Sequence, residues 1–74
     1  MAKEASRYIS ELLEAYQDIT QKTYTEIALD LDITLSNLYR HRNGTGNPRA
    51  NTIDKIVNGV EARCPAAFKK VSRW

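Results

Sequence analysis

Four side chains of different chemistry recur at the spacing of one helix face in the middle of the chain: Leu35, Ser36, Tyr39 and Arg40. Positions i, i+1, i+4 and i+5 lie together on an α-helix. An arginine can donate two hydrogen bonds to guanine O6 and N7, a serine can donate or accept one, and an apolar side chain can contact a thymine methyl group. Tyr39 can reach a phosphate or a base edge. This face therefore suits the major groove of double-stranded DNA.

Leu35 gives the most specific hypothesis, because it is an apolar residue on an otherwise polar face. We expect its side chain to pack on a thymine methyl group. The alternative is that Leu35 folds back into the core, where most leucines are found.

Residues for catalysis or metal binding are sparse. His41 and Cys64 are the only histidine and cysteine, so no zinc-ligand spacing and no internal disulfide can form. We find no Ser/His/Asp constellation, and Gly44-Thr45-Gly46 indicates a turn rather than a nucleotide-binding loop. We expect no enzymatic activity, no cofactor and no metal, and we interpret His41 as a partly buried packing residue.

The charge is unevenly distributed along the chain. Residues 1–32 contain seven acidic and three basic side chains, whereas residues 33–53 contain Arg40, Arg42 and Arg49 and no acid. Residues 54–74 are again basic, although Lys69, Lys70 and Arg73 are as readily explained as a solvated surface. An acid-free basic segment is typical of a surface that faces a polyanion.

The front half of the chain predicts two helices. The first covers about 3–17, with one apolar stripe, and the second begins after Thr23, which forms a Thr-x-x-Glu capping box with Glu26. The segment 31–34 suits a tight helix–helix turn, in which Asp32 would adopt a left-handed backbone.

The back half predicts three more helices. The third covers about 35–42, with Thr34 as N-cap and Gly44 as its left-handed stop. The fourth covers about 52–60, with Asn51 as N-cap, and a last helix begins near Pro65. The chain is thus predicted to be one all-α domain, a compact bundle of about five short helices over 1–74, with a helix-turn-helix at about 23–44.

Four short motifs follow one another within 23–60. They are Thr23-Tyr24-Thr25-Glu26-Ile27-Ala28, Asp32-Ile33-Thr34, Arg42-Asn43-Gly44, and Asn47-Pro48 followed by Thr52-Ile53 and Ile56. In this order and spacing, over about half of the chain, they resemble the helix-turn-helix of the phage Cro and lambda-repressor-like family, also called the Xre family.

The resemblance implies two sets of DNA contacts. It places Leu35, Ser36 and Arg40, with Tyr39 beside them, at base edges. Contacts to the sugar-phosphate backbone are implied for Thr23, Tyr24, Thr34, Asn37, Asn43, Thr45, Asn47 and Arg49.

Two positions depart from the family pattern. Asp32 replaces the usual glycine of the turn, which the backbone tolerates. Arg42 replaces a glutamate that normally makes a structural contact, so we expect Arg42 to be free to reach a phosphate. We predict that Arg42 and Arg49 contact the DNA backbone rather than bases, because such contacts dominate affinity.

The C-terminal segment carries Phe68, Val71 and Trp74 at spacings of three. These side chains either complete the core or form a self-complementary dimer contact, and we favour dimerisation. Two copies would then bind half-sites about one helical turn apart.

The function predicted from these observations is a sequence-specific transcriptional regulator, a phage-type repressor that acts as a homodimer on a palindromic operator. The alternative is an antitoxin-type module that binds a protein partner as well as DNA; single-stranded RNA binding is less favoured, because the aromatic residues are scattered. The sequence contains no apolar run typical of a signal peptide or membrane span. We therefore expect no membrane association and a cytoplasmic, nucleoid-associated location in a bacterial or phage-infected cell.

Overall fold

The computed structural model describes residues 4–45 and 47–71 and is all-helical over these ranges. The helices are α1 (Ala5–Thr20), α2 (Tyr24–Leu31), α3 (Leu35–Arg42), α4 (Ala50–Arg63) and α5 (Pro65–Lys70). α1 packs against α3, α4 and α5, while α2 packs against α3 and α4. The predicted all-α fold class is confirmed, and the α2–α3 pair is consistent with the predicted helix-turn-helix.

The core forms along α1. Its predicted apolar stripe of Ile9, Leu12, Leu13 and Tyr16 is buried. The predicted end of this helix is three residues short, because the helix continues to Thr20 and closes at Gln21 in the left-handed region, with φ of 58°. The Gln21 amide donates to the carbonyl of Gln17. A non-glycine residue at the left-handed stop carries little sequence signal.

The connection between α2 and α3 has the predicted local chemistry. The Thr23 capping box is present, and Asp32 adopts a left-handed backbone with φ of 57°. Thr34 caps α3 by accepting a hydrogen bond from the amide of Asn37, 3.2 Å away. From α4, the Lys55 ammonium lies 3.3 Å from the carbonyl of Asp32 and 3.5 Å from its carboxylate. The turn is therefore tied to a helix far away in the sequence.

The start of α4 corrects one prediction. The helix begins at Ala50 and its N-cap is Arg49, without a side-chain hydrogen bond, so Asn51 is not the cap. The helix also extends beyond the predicted end to Arg63 and passes through Gly59. A Cβ atom at Gly59 would lie 2.5 Å from Cδ2 of Leu31, so this glycine permits close packing of α2 on α4.

The C-terminal apolar residues pack on the protein's own core. Phe68 and Val71 are partly buried against the core cluster, which favours the core-completing interpretation for these two side chains. Trp74, the third residue of the predicted dimer contact, lies outside the described residues. Homodimerisation thus stays a prediction.

One carboxylate links three elements. Asp30 accepts hydrogen bonds from the Tyr16 hydroxyl at 2.9 Å and from the Lys22 ammonium at 2.6 Å, and Arg63 lies 3.8 Å away. The hydrogen bond from Lys22, aided by Tyr16 and opposed by partial burial, holds the pKa of Asp30 below its ordinary value. Burial, together with the Asp30 contact, raises the pKa of Tyr16 to about 12. This cluster fastens α2 to α1 and α4.

Asp30→Asn is expected to lower the free energy of unfolding by about 1–2 kcal/mol at neutral pH, because it removes a charged hydrogen-bond acceptor. Because folding lowers the pKa of Asp30, its contacts stabilise the protein fully at pH values above the unfolded-state pKa. This stabilisation is lost as the pH falls through the folded-state pKa. Urea unfolding at a series of pH values should show the variant and the parent converging in acid. The exposed Asp18→Asn serves as the control, and a difference that does not depend on pH would contradict the assignment.

Candidate nucleic-acid interface

The predicted contact face of α3 points outward. Leu35 is 37% exposed and Tyr39 is 45% exposed, and Ser36 and Arg40 are also exposed. Leu38, one turn after Leu35 in the same helix, is fully buried in the core. Leu35 therefore does not fold back into the core, and the four side chains are available to a macromolecular partner.

Tyr39 is positioned by an aromatic contact that spacing within one helix does not predict. Its ring lies edge-on to that of Tyr24, with centroids 5.3 Å apart and an interplanar angle of 82°. Tyr24 is itself partly buried against the core. Since such edge-to-face pairs are favourable, Tyr24 restricts Tyr39 and joins the start of α2 to the exposed face of α3.

The hydroxyl of Thr23 is used within the protein. It accepts from the amide of Glu26 at 3.2 Å and lies 3.1 Å from the Glu26 carboxylate. The hydroxyl of Thr34 likewise accepts from a backbone amide. Both threonines lie at helix starts, as predicted, and their contacts with the DNA backbone stay predictions.

Arg42 differs from the expectation that it is free. Its guanidinium lies 3.6 Å from the carboxylate of Glu14, and its Nε atom is buried. The hydroxyl of Ser10 donates to the backbone carbonyl of Arg42. Two residues of α1 thus hold the C-terminal end of α3, and the sequence could not show this because the partners are about thirty positions apart. A phosphate contact by Arg42 stays a prediction.

The segment after α3 turns sharply. Asn43 keeps a right-handed backbone, and Gly44 has φ of 73°, the left-handed conformation predicted for it. The amide of Thr45 donates to the carbonyl of Arg40 at 3.1 Å, and its hydroxyl lies 3.3 Å from the same oxygen. These contacts direct the chain back across the end of α3.

A polar cleft of about 400 Å³ lies between α3 and the start of α4. Its lining combines cationic and amide side chains: Asn37, Arg40, His41, Asn47, Arg49, Asn51 and Thr52. None of these lining residues carries a carboxylate. Three residues predicted to contact the DNA backbone, Asn37, Asn47 and Arg49, are thus brought together with Arg40, which was predicted to contact bases.

His41 is partly buried, as predicted. Burial, and to a smaller extent the positive charge of Arg40, lowers its pKa below the ordinary value. Its Nδ1 atom is buried and has no hydrogen-bond partner among the described residues. The lowered pKa favours the neutral imidazole, so the two arginines are the main source of positive charge in the cleft.

Comparison with known proteins finds no matching family model, no similar curated protein and no similar solved structure. Within residues 4–45 and 47–71, no helix is long and apolar enough to cross a membrane. No group of three or more His, Cys, Asp or Glu side chains in these ranges could hold a metal ion. The site is thus defined by the geometry of the chain itself.

A double-mutant cycle on Tyr24→Leu and Tyr39→Leu should give a coupling energy of about 0.5–1 kcal/mol in urea unfolding, since each substitution alone removes the edge-to-face contact. The leucines preserve apolar bulk, so the coupling reports mainly on the ring geometry. Strictly additive effects would show that Tyr24 does not restrain Tyr39.

Proposed function

We propose that the chain is a sequence-specific, double-stranded DNA-binding transcriptional regulator of the lambda-repressor-like helix-turn-helix type. The observation that carries this proposal is the exposed face of α3, on which Leu35, Ser36, Tyr39 and Arg40 project while Leu38 is buried beneath. The resemblance of 23–60 to the Cro and Xre family supports the same function.

The dimensions of α3 fit a major groove. An α-helix with its side chains is roughly 10–12 Å across, and the major groove is about 12 Å wide. The start of α3 is closed by its own Thr34 cap, and its end is held to α1 by the Ser10 and Glu14 contacts of Arg42. The helix can therefore enter the groove as a preformed unit.

Base recognition in this proposal comes from chemically distinct positions. Leu35 contacts a thymine methyl group, Ser36 forms a hydrogen bond with a base edge, and Tyr39 lies beside them. Arg40 donates either to the edge of a guanine or to a phosphate of the DNA backbone. Occupancy of a promoter by the domain would exclude polymerase, so repression is the proposed mode, with two copies on a palindromic operator.

A protein partner is the second candidate, as in antitoxin-type modules. The observation that favours it is Leu29, which is 78% exposed on α2. Single exposed apolar residues are common on protein surfaces, so this candidate ranks below DNA binding.

Leu35 provides the sharpest test. After selection of binding sites from random duplex DNA, each thymine of the site is replaced by uracil, which lacks the methyl group. At one position the parent protein should lose affinity about fourfold, the value of one buried methyl group. Leu35→Ala should lose a similar factor on the thymine site and be indifferent to the replacement.

Leu29→Ala removes the same side chain from a more exposed position and serves as the matched control. It should keep the parent's response to uracil. If Leu35→Ala still responds to the replacement as the parent does, the methyl contact is wrong. If no duplex is bound at low ionic strength, the proposed function is wrong.

A further inference from the structure

We propose that the cleft between α3 and α4 binds one phosphate group, and that Arg40 belongs to this phosphate site rather than to the base-contacting face. The assignment of this phosphate to a DNA strand rests on the proposed function. The chemistry of the site rests on the cleft itself.

The pairing of the arginines distinguishes this cleft from the rest of the surface. Arg7, Arg42 and Arg63 each lie within 4 Å of a carboxylate, at 3.7, 3.6 and 3.8 Å. Among the residues that the structure describes, Arg40 and Arg49 form no ion pair, and both line the cleft. Two arginines thus line one polar space, and no carboxylate within the described residues pairs with either of them.

The donor set of the cleft suits a tetrahedral oxyanion. Guanidinium groups donate paired hydrogen bonds to phosphate oxygens, and the amides of Asn37, Asn47 and Asn51 supply further donors. The first turn of α4 carries no acidic residue, so its helix dipole adds to the same positive field. A tetrahedral phosphate offers oxygens to both arginines at once, whereas a single base edge pairs with one guanidinium.

The backbone of Arg40 is held at the end of α3, beside this space. Its carbonyl accepts from the amide of Thr45 at the end of α3. Arg40 also lies one helical turn after Asn37, which lines the same cleft. Sequence discrimination is then left to Leu35, Ser36 and Tyr39, while Arg40 and Arg49 set the position of α3 along the strand.

The test compares Arg40→Gln and Arg49→Gln with Arg7→Gln, which removes the same charge from α1. Each variant is titrated with the selected duplex and with a scrambled duplex over a range of salt concentrations, after thermal unfolding has shown that it folds. Both cleft variants should lose affinity about tenfold for both duplexes, and the slope of log K against log salt should fall by roughly one. Arg7→Gln should change little.

An altered preference of Arg40→Gln at one base pair, with an unchanged salt slope, would overturn the phosphate site and leave the proposed function intact. If no duplex is bound, the deciding measurement is a titration of the free protein with inorganic phosphate at constant ionic strength, followed by NMR of the arginine Nε–H groups. Saturable shifts at Arg40 and Arg49 that disappear in Arg49→Gln would then support a site for a free phosphate compound. Their absence would overturn the site together with the function.

Discussion

The burial of Leu38 is the contact on which the outward face of α3 depends. It is the buried residue of this eight-residue helix, and it is fully enclosed by the core that α1 organises. Because the helix is anchored on this side, Ser36 and Arg40, which are farthest from Leu38 around the helix, face solvent. Leu35 and Tyr39, at the edge of the face, are partly exposed. The contacts of Arg42 with Ser10 and Glu14 of α1 then restrict rotation of the helix about that anchor.

Local chemistry was predictable from the sequence because it involves neighbours along the chain. The capping box at Thr23, the left-handed Asp32 and the left-handed Gly44 each follow from a few adjacent residues. Helix ends without such a signature were not predictable: Gln21 closes α1 without being a glycine, and Arg49 begins α4 without a side-chain cap. The Asp30 cluster was missed because its partners come from three separate elements.

The same distinction between local and long-range contacts applies to the candidate site. The spacing of Leu35, Ser36, Tyr39 and Arg40 was sufficient to predict one exposed helix face, since a helix fixes the angle between residues. The partners of these residues come from elsewhere: Tyr24 lies against Tyr39, and the start of α4 closes the cleft beside Arg40. Such arrangements depend on how helices pack, and sequence spacing within one helix carries no information about them.

Because α3 is short, its exposed face depends on the folding of the whole helical bundle. A helix of two turns is unstable in isolation, because the cost of nucleation is not recovered over so few residues. Its ordered face is therefore present only while the surrounding bundle is intact. Binding of a partner and unfolding of the protein are therefore linked equilibria. A saturating ligand raises the melting temperature by mass action. A substitution that destabilises the core, even far from α3, weakens binding.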